Sequence, residues 1–279
     1  MKGVRSLREM TRLLDADQRL RRLCLIKPAE KGCPRSVLSR FIRKVGETRL
    51  ISIINEKVVK LTKQNGARDV DSIFDASFID AWSTRDPLDS QTGYSDREAR
   101  VGRAGRSFGL GYKLHLAIDS ATMLPLACIF ASANQNEQKH SLNLLEKTKL
   151  ILKQSEAKLR SVIADSQYSD DKLRNAVDAA VIPYRANQKR NGEGLLRVDR
   201  KFRTYGPDDQ KKEYHKRPHV EAVYSFLKTQ YSLTVNKVRG LGNVASYALF
   251  SILCLVLNRE AAENFGRPEK AVSPTFFNT

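Results

Sequence analysis

An alternating pattern runs through residues 111–130, which read GYKLHLAIDSATMLPLACIF. Its first half alternates apolar residues with others, and side chains on a β-strand point alternately to its two faces, so this period predicts a strand that buries one face. Lys113 and His115 are expected on the solvent face. Asp119 begins a turn, and the apolar run after it predicts a returning strand. The segment is therefore predicted to be a β-hairpin.

The residues on either side of this hairpin predict a chain of mixed strands and helices. Upstream, residues 72–82 (SIFDASFIDAW) predict a strand, and a loop rich in Gly, Arg and Asp is expected from Ser83 to Gly111. Downstream, the predicted elements are a helix at 138–153, a strand at 161–165 (SVIAD), a helix at 170–179, a strand at 181–184 (VIPY), a helix from Pro218 and an apolar helix at 244–260. This order predicts an α/β fold in which helices flank a central sheet.

Positive charge is concentrated at the N-terminus. The 279 residues include 49 Lys and Arg against 31 Asp and Glu, a formal net charge of +18. Residues 1–70 hold 18 of these basic residues against 7 acidic ones, and their apolar residues recur at helical spacing with a break at Gly46. We therefore expect a small basic all-α module at 1–70, and a polyanion such as nucleic acid is the leading partner.

The rest of the chain is expected to form one domain over residues 71–263, with 185–213 as a basic loop insertion and 264–279 as a flexible tail. The four cysteines include no C-x-x-C pair, which argues against a zinc cluster or a disulfide scaffold and favours a reducing compartment. Residues 240–258 carry no charge and approach the length of a membrane span. We interpret them as a buried core helix, and a membrane helix is the alternative.

Two aspartates are predicted at positions where a sheet presents side chains for chemistry. Asp80 lies in the first strand and Asp165 ends the SVIAD strand, and each follows apolar residues. A carboxylate beside a dry core is unfavourable unless it is compensated, and a divalent cation is one way to compensate it. Either residue alone is also typical of a turn or a helix cap. Asp75 is expected on the opposite face of the strand from Asp80, and for that reason outside the site.

A polar stripe is predicted on the helix that follows the basic loop. Tyr214, Arg217, Glu221 and Lys228 are spaced by 3, 4 and 7 residues. At about 100° per residue they fall within a ~60° arc, at the edge of the apolar face of the same helix. Spacing alone favours a solvated face with an Arg217–Glu221 pair. Pro218 is expected to end the helix before it reaches Tyr214.

These residues together resemble a known family. The pattern Y-x2-R-x3-E-x6-K, with the aspartates of FIDAWS and VIADSQYSD, closely resembles the DDE insertion-sequence transposases of the Tyr-Arg-Glu-Lys branch. The segment GLGYKLHLAIDSATMLPLACIFASANQNE is similar to their hairpin and the Asn-rich turn after it, and the resemblance covers residues 72–260. It implies a ribonuclease H-like fold, a mixed sheet flanked by helices. In that fold the first and fourth strands are neighbours, so Asp80 and Asp165 would meet while a late helix brings in Glu221.

The resemblance also implies a reaction and its participants. Asp80, Asp165 and Glu221 would bind two Mg²⁺ or Mn²⁺ ions, which suit hard oxygen ligands and support in-line phosphoryl transfer. Water would nick DNA at the end of the element, and the freed 3′-OH would attack target DNA. The DNA-contacting residues would be Tyr214, Arg217 and Lys228. Double-stranded DNA is the implied partner, with a homodimer on DNA, no membrane, and the nucleoid of a prokaryotic cytoplasm as the location.

One departure from the family pattern keeps other functions open. The family usually has Gly before the Tyr that follows the second Asp, and this chain has Gln167 before Tyr168. A catalytically inactive DNA-binding relic or repressor of a transposable element is therefore the alternative. A stand-alone ribonuclease H-type nuclease is less favoured, because Arg217 and Lys228 match the transposase pattern.

Overall fold

The structure is a computed structural model that describes residues 7–27, 32–84, 94–185, 188, 194–198, 203–234 and 237–271. Its helices are α1 (Leu7–Ala16), α2 (Gln18–Leu23), α3 (Arg35–Gln64), α4 (Gln138–Gln154), α5 (Asp171–Asn175), α6 (Asp208–Tyr214), α7 (Pro218–Thr229) and α8 (Leu241–Asn264). Its strands are β1 (Asp69–Asp80), β2 (Arg100–Ala104), β3 (Ser107–Asp119), β4 (Pro125–Ser132), β5 (Lys158–Ala164), β6 (Ala179–Val181), β7 (Leu196–Val198) and β8 (Arg203–Tyr205). Single 3₁₀ turns cover Ser166–Tyr168 and Pro268–Lys270.

Six strands form a mixed sheet. β1 lies at its centre, antiparallel to β3 on one side and parallel to β5 on the other. β4 pairs with β3 antiparallel, and β6 pairs with β5 parallel. The order β4-β3-β1-β5-β6 is that of a ribonuclease H-like sheet, with β2 added as a hairpin partner of the first half of β3. The predicted α/β fold class is therefore confirmed.

Each face of the sheet packs against its own set of helices. Ile73 and Ile163 belong to a core that α3, α7 and α8 cover. Phe74 and Ala164, the next residues on the same two strands, belong to a second core under α4 and α5. Because side chains alternate along a strand, this assignment fixes the face of every residue on β1 and β5.

Helix α3 joins the basic N-terminal helices to this core. Gly46 has φ 63° and ψ 175°, a conformation that glycine adopts readily, and it kinks the helix where the sequence predicts a break. The half after the kink is buried against α8 through Leu50, Ile54, Val58 and Leu61. The second half of α3 is thus part of the same core as the sheet, although it falls within the predicted module 1–70.

Helix α8 is long and apolar enough to cross a membrane, with a mean hydropathy of 1.7 in its most apolar window. Half of that window is buried inside the protein. Its buried positions include Val244, Leu249, Ile252 and Val256, all part of the core that α3 and α7 share. The helix has the packing of a core helix, as the sequence interpretation predicts.

The residues after α8 are packed where a loose tail is expected. The Asn258 side chain donates a hydrogen bond of 2.6 Å to the carbonyl of Ala271, and Ala271 is buried. The prediction of a flexible tail from residue 264 is therefore wrong for 264–271. Helix α8 continues to Asn264, and the Asn258 side chain of α8 holds the turn that follows the helix. Residues 272–279 lie outside the described residues.

Candidate active site

Two aspartates lie side by side on neighbouring strands. Phe74 of β1 pairs with Ala164, the last residue of the parallel strand β5, so Asp75 is the next residue of β1 and Asp165 directly follows β5. Asp75 shares the face of Ile73, and Asp165 shares the face of Ile163. Both carboxylates therefore point to the face that α7 covers.

A tyrosine fixes α7 to this point of the sheet. The Tyr224 hydroxyl lies 2.8 Å from the carbonyl oxygen of Asp75 and 2.9 Å from that of Leu114, and it donates to this pair of acceptors. Tyr224 is buried in the core, and Glu221 precedes it by one turn of the same helix. The anchor thus brings Glu221 and the start of α7 to Asp75 and Asp165.

Arg217 is the cation at the centre of this arrangement. Its guanidinium lies 3.6 Å from the Asp75 carboxylate and donates a hydrogen bond of 2.7 Å to the Glu221 carboxylate. Arg217 is the residue before Pro218, the first residue of α7, so the fixed start of the helix sets the direction of its side chain. A single guanidinium therefore bridges carboxylates that come from the sheet and from the helix.

Burial makes the charge on Asp75 unfavourable. Loss of water around the carboxyl raises the pKa of Asp75 to about 7, and the positive charge of Arg217 opposes that rise. The negative charges of Asp165 and Glu221 raise the pKa of Asp75 further. Three carboxylates thus lie within electrostatic reach of one another, which is the situation that a bound cation relieves.

Asp165 has a second role as the cap of a short turn. Its carboxylate accepts a hydrogen bond of 2.8 Å from the Gln167 backbone N–H at the start of the Ser166–Tyr168 turn. Gln167 is exposed and is not among the residues with positive φ. The position therefore does not require glycine, and the departure from the family pattern leaves the backbone unstrained.

The face of the hairpin that is expected to contact solvent is buried. His115 is fully buried, and its Nδ1 lies 2.9 Å from the hydroxyl of Tyr168 in the turn after Asp165. Burial lowers the pKa of His115 to about 3, so the ring is neutral at pH 7. Lys113 is also buried and pairs with Glu137 at 2.8 Å. The solvent-face prediction is wrong because α4 covers this side of the sheet.

Asp80 does not join this group. It pairs with Gly111, five residues along β1 from Asp75, which is about 16 Å at ~3.3 Å per residue. The pairing with β3 is regular from Ser72 to Asp80, so an odd separation puts Asp80 on the opposite face from Asp75. The expected meeting of Asp80 with Asp165 is wrong, because Asp165 follows Ala164, whose partner on β1 is Phe74, and this places Asp75 near Asp165.

The other predicted site residues lie at the edge of the group. Tyr214 is the last residue of α6, and Pro218 begins the separate helix α7, so α7 does not extend back to Tyr214, as predicted. Tyr214 still lies close enough to Arg217 for its phenol to raise the pKa of that guanidinium, together with Asp75 and against the effect of burial. Lys228, two turns after Glu221, has its pKa lowered by burial, and the charges of Asp80 and Asp75 oppose this.

A second ionic cluster holds the turn between α6 and α7. The buried Asp71 accepts hydrogen bonds from Ser161, from Arg160 and, at 2.9 Å, from Lys216. Lys216 also donates to Glu213 at 2.5 Å. Because Lys216 immediately precedes Arg217, this cluster fixes the backbone that carries the central cation of the site.

The three carboxylates have the chemistry of a site for a hard divalent cation. Asp75, Asp165 and Glu221 offer only oxygen ligands, and burial, with the charges of Asp165 and Glu221, raises the pKa of Asp75 in spite of Arg217. Among the described residues, however, no three acidic, His or Cys side chains are placed to hold one ion as they stand. Arg217 instead bridges two of the three. The oxygen chemistry of the donor set is the kind that suits Mg²⁺ or Mn²⁺.

Comparisons with known proteins bear on this site. Residues 67–257 match the model of the family described as the transposase DDE domain. Comparison with curated proteins gave no match. Among solved structures, one similar chain is a piggyBac transposase in a synaptic complex with hairpin DNA, with 10% sequence identity and a TM-score of 0.38. The alignment covers 73% of this chain and spans half the length of that transposase.

Proposed function

The chain belongs to the transposase DDE domain family, and on that premise we propose that it binds the ends of an insertion sequence and catalyses metal-dependent cleavage and transfer of DNA strands. One observation carries the proposal: Asp75 of β1, Asp165 directly after β5 and Glu221 of α7 all lie within electrostatic reach of the Arg217 guanidinium, which bridges Asp75 and Glu221. A structural ion pair needs no third carboxylate, whereas phosphoryl transfer with bound cations uses several.

In this proposal the three carboxylates hold the metal ions. Two bound Mg²⁺ or Mn²⁺ ions supply activation of the attacking oxygen and stabilisation of the leaving oxygen. Asp75 is the least exposed of the set, and its backbone is fixed by Tyr224, so it provides the rigid part of the site. Glu221 is more exposed, with 56% of its side chain accessible, and its helix position lets it adjust to the ions.

Arg217, Tyr214 and Lys228 are proposed to contact the phosphates of the element's end, as in the Tyr-Arg-Glu-Lys branch. Arg217 has a planar fork of donors that matches a phosphate as well as a carboxylate. When phosphate and cations are bound, the guanidinium can exchange the Asp75 and Glu221 carboxylates for the DNA. The partner is double-stranded DNA, the protein acts on it as a homodimer, and the location is the nucleoid of a prokaryotic cytoplasm.

The proposal is tested by a nicking assay on duplexes from the DNA that flanks the reading frame. The wild type is expected to nick the strand at the end of the element with Mg²⁺ or Mn²⁺. Glu221→Gln keeps the size of the side chain and removes one ligand charge, so it is expected to lose nicking and keep DNA binding. Glu146→Gln, an exposed position on α4, is the matched control and should behave as the wild type.

The outcomes separate the candidate functions. Nicking by Glu221→Gln at the wild-type rate would exclude the catalytic site. A wild type that binds the duplex but never nicks it, with either metal ion, would identify the protein as an inactive relic or repressor.

Lys228→Ala is expected to bind more weakly and to lower the slope of log Kobs against log salt by about 1, as loss of one phosphate contact does.

A further inference from the structure

A groove of about 960 Å³ lies between the N-terminal helices and the far end of β1, away from the three carboxylates. We call it the basic groove and define it by six of its lining residues: Arg8, Arg35, Arg43, Trp82, Lys237 and Arg239. They come from α1, from α3, from the segment after β1 and from the segment before α8. The other lining residues that the structure describes are uncharged, so no carboxylate among the described residues lines the groove.

Within the described residues, no carboxylate pairs with the positive charge in this groove. All five basic side chains are exposed, and within the part of the chain that the structure describes none of them forms an ion pair with a carboxylate. By contrast, the lysines in the second half of α3 are paired, for example Lys57 and Lys60 with Glu260. Like charges that converge without counter-charges repel one another and create a positive potential that attracts a polyanion.

The side chains around Trp82 are held in place by specific contacts. The Trp82 ring is half exposed, and the Lys237 ammonium lies 5.7 Å from its centre. Arg239 donates a hydrogen bond of 3.2 Å from Nε to the Trp82 carbonyl, which leaves the outer nitrogens of the guanidinium available. The Asn243 side chain donates in turn to the Arg239 carbonyl at 2.8 Å. A flat apolar ring flanked by two oriented cations suits a sugar–phosphate chain, which presents apolar sugar faces between its phosphates.

We propose that the basic groove binds the sugar–phosphate backbone of duplex DNA beside the bond that the carboxylates cut. The position beside the cleaved bond rests on the proposed function, whereas DNA binding by the groove does not. Trp82 follows Asp75 by seven residues, so the Trp82 side of the groove lies at most about 23 Å from Asp75 at ~3.3 Å per residue. Each base pair advances ~3.4 Å along the duplex, so the phosphates in the groove lie within about seven base pairs of the cleavage point.

The chain provides its own probe of this groove, because Trp82 is its single tryptophan. We expect a duplex of random sequence, titrated into the full-length protein, to change the Trp82 emission as it binds. Lys237→Ala/Arg239→Ala removes two phosphate contacts, so the slope of log Kobs against log salt should fall by about 2. Lys153→Ala/Lys158→Ala removes the same charge from the end of α4 and the start of β5. Lys158 pairs with the start of β1, at the end of that strand opposite Trp82, so this control is expected to match the wild type.

The readings also separate this proposal from the proposed function. Unchanged Trp82 emission on DNA binding, or an unchanged salt slope in Lys237→Ala/Arg239→Ala, would overturn the groove as a DNA site. An equal fall in the control variant would overturn it as well, because the effect would then be one of net charge. Random duplex binding needs no cleavage, so a wild type that fails to nick DNA would contradict the proposed function and leave this result intact.

Discussion

Asp75 is an acid that the fold places at an electrostatic disadvantage. Burial and the neighbouring charges of Asp165 and Glu221 raise its pKa to about 7, and Arg217 compensates only in part. Structural aspartates are usually placed where hydrogen bonds and cations lower their pKa, as at Asp71 in the same strand. A raised pKa at a buried position between two other carboxylates is typical of a residue kept for chemistry.

This disadvantage gives a pH dependence of stability with a definite sign. The folded protein binds the Asp75 proton more tightly than the unfolded chain does, so the stabilisation is present below about pH 4 and is lost as the pH rises to about 7. Asp75→Asn cannot ionise. We expect its free energy of unfolding to exceed that of the wild type by more at pH 8 than at pH 5, and the excess to grow by about 3 kcal/mol for the roughly two pKa units between pH 5 and pH 7.

Urea unfolding of both proteins at the two pH values checks this expectation. The same difference in free energy at pH 5 and pH 8 would show that Asp75 titrates as an ordinary aspartate. The experiment is done without divalent ions, because a bound cation would itself stabilise the ionised form.

The choice between Asp75 and Asp80 marks the limit of what the sequence predicts at this scale. Alternation along the strand is visible in the sequence, and it correctly places the two residues on opposite faces. The alternation does not say which face of the sheet α7 covers. That depends on the register of β1 with β5, through Phe74 and Ala164, and on the Tyr224 anchor, both of which join residues far apart in the chain.

At the scale of elements, the turn between α6 and α7 positions the site. Lys216 and Arg217 are adjacent, and they bind two different aspartates of the same strand, Asp71 and Asp75. Two neighbouring residues of the turn thus bind the sheet at two separate positions along β1. Arg160 of β5 adds a further contact to Asp71, so three elements meet there.

Asp71→Asn is expected to loosen this turn and to lower stability by about 2 kcal/mol at pH 7, because Arg160 and Lys216 lose the negative charge of their acceptor and one of its two oxygens. The pKa of Asp71 is lowered, since hydrogen bonds from Arg160 and Lys216 outweigh the effect of burial. The contribution is therefore present above about pH 4 and is lost as the pH falls below it.

Thermal or urea unfolding of Asp71→Asn beside Asp178→Asn tests this. Asp178 is exposed and lies 3.9 Å from Lys158, so its loss should change the free energy of unfolding by less than about 0.5 kcal/mol. Equal effects of the two substitutions at pH 7 would mean that the Asp71 cluster adds nothing beyond a surface pair.

Elements with a clear alternating or helical pattern of apolar residues are predicted well from the sequence, whereas strand β2 is not. The hairpin, α4, β5 and α8 follow from alternation or helical spacing and appear near their expected positions. β2 lies inside the expected loop, because its glycine content masks its pattern. Gly102 packs so closely on Ala133 that a Cβ there would lie 2.0 Å from the Ala133 carbonyl oxygen. The glycine reflects tight packing of a strand, which composition cannot distinguish from a flexible loop.

For the whole molecule, the boundary between the basic helices and the sheet domain lies at the kink in α3. Gly46 separates an exposed first half of the helix from a buried second half. The predicted division at residue 70 cuts through the core instead, since Leu50, Ile54, Val58 and Leu61 all contact it. Helical period alone reveals both halves of α3 but not which half the core buries.

Two truncations are expected to differ for this reason. A chain that starts after Gly46 keeps the buried half of α3 and should unfold cooperatively, while it loses Arg8, Arg35 and Arg43 and with them much of its DNA affinity. A chain that starts near Val70 loses four buried apolar side chains of the core and should not fold stably, because each contributes about 2 kcal/mol or more.

Circular dichroism with thermal unfolding, followed by DNA binding at several salt concentrations, distinguishes these cases. A chain from Val70 that unfolds cooperatively would restore the division at residue 70. Unchanged DNA affinity and salt slope after removal of residues 1–46 would show that the N-terminal helices do not contact DNA.

The most direct measurement compares nicking by Asp75→Asn and Asp80→Asn. Both substitutions make the same chemical change on the same strand, and only Asp75 lies beside Asp165 and within reach of Glu221. We expect Asp75→Asn to lose Mg²⁺-dependent nicking of the element's end and to keep DNA binding, and Asp80→Asn to nick near the wild-type rate. Nicking by Asp75→Asn together with loss of nicking by Asp80→Asn would contradict the assignment of the site.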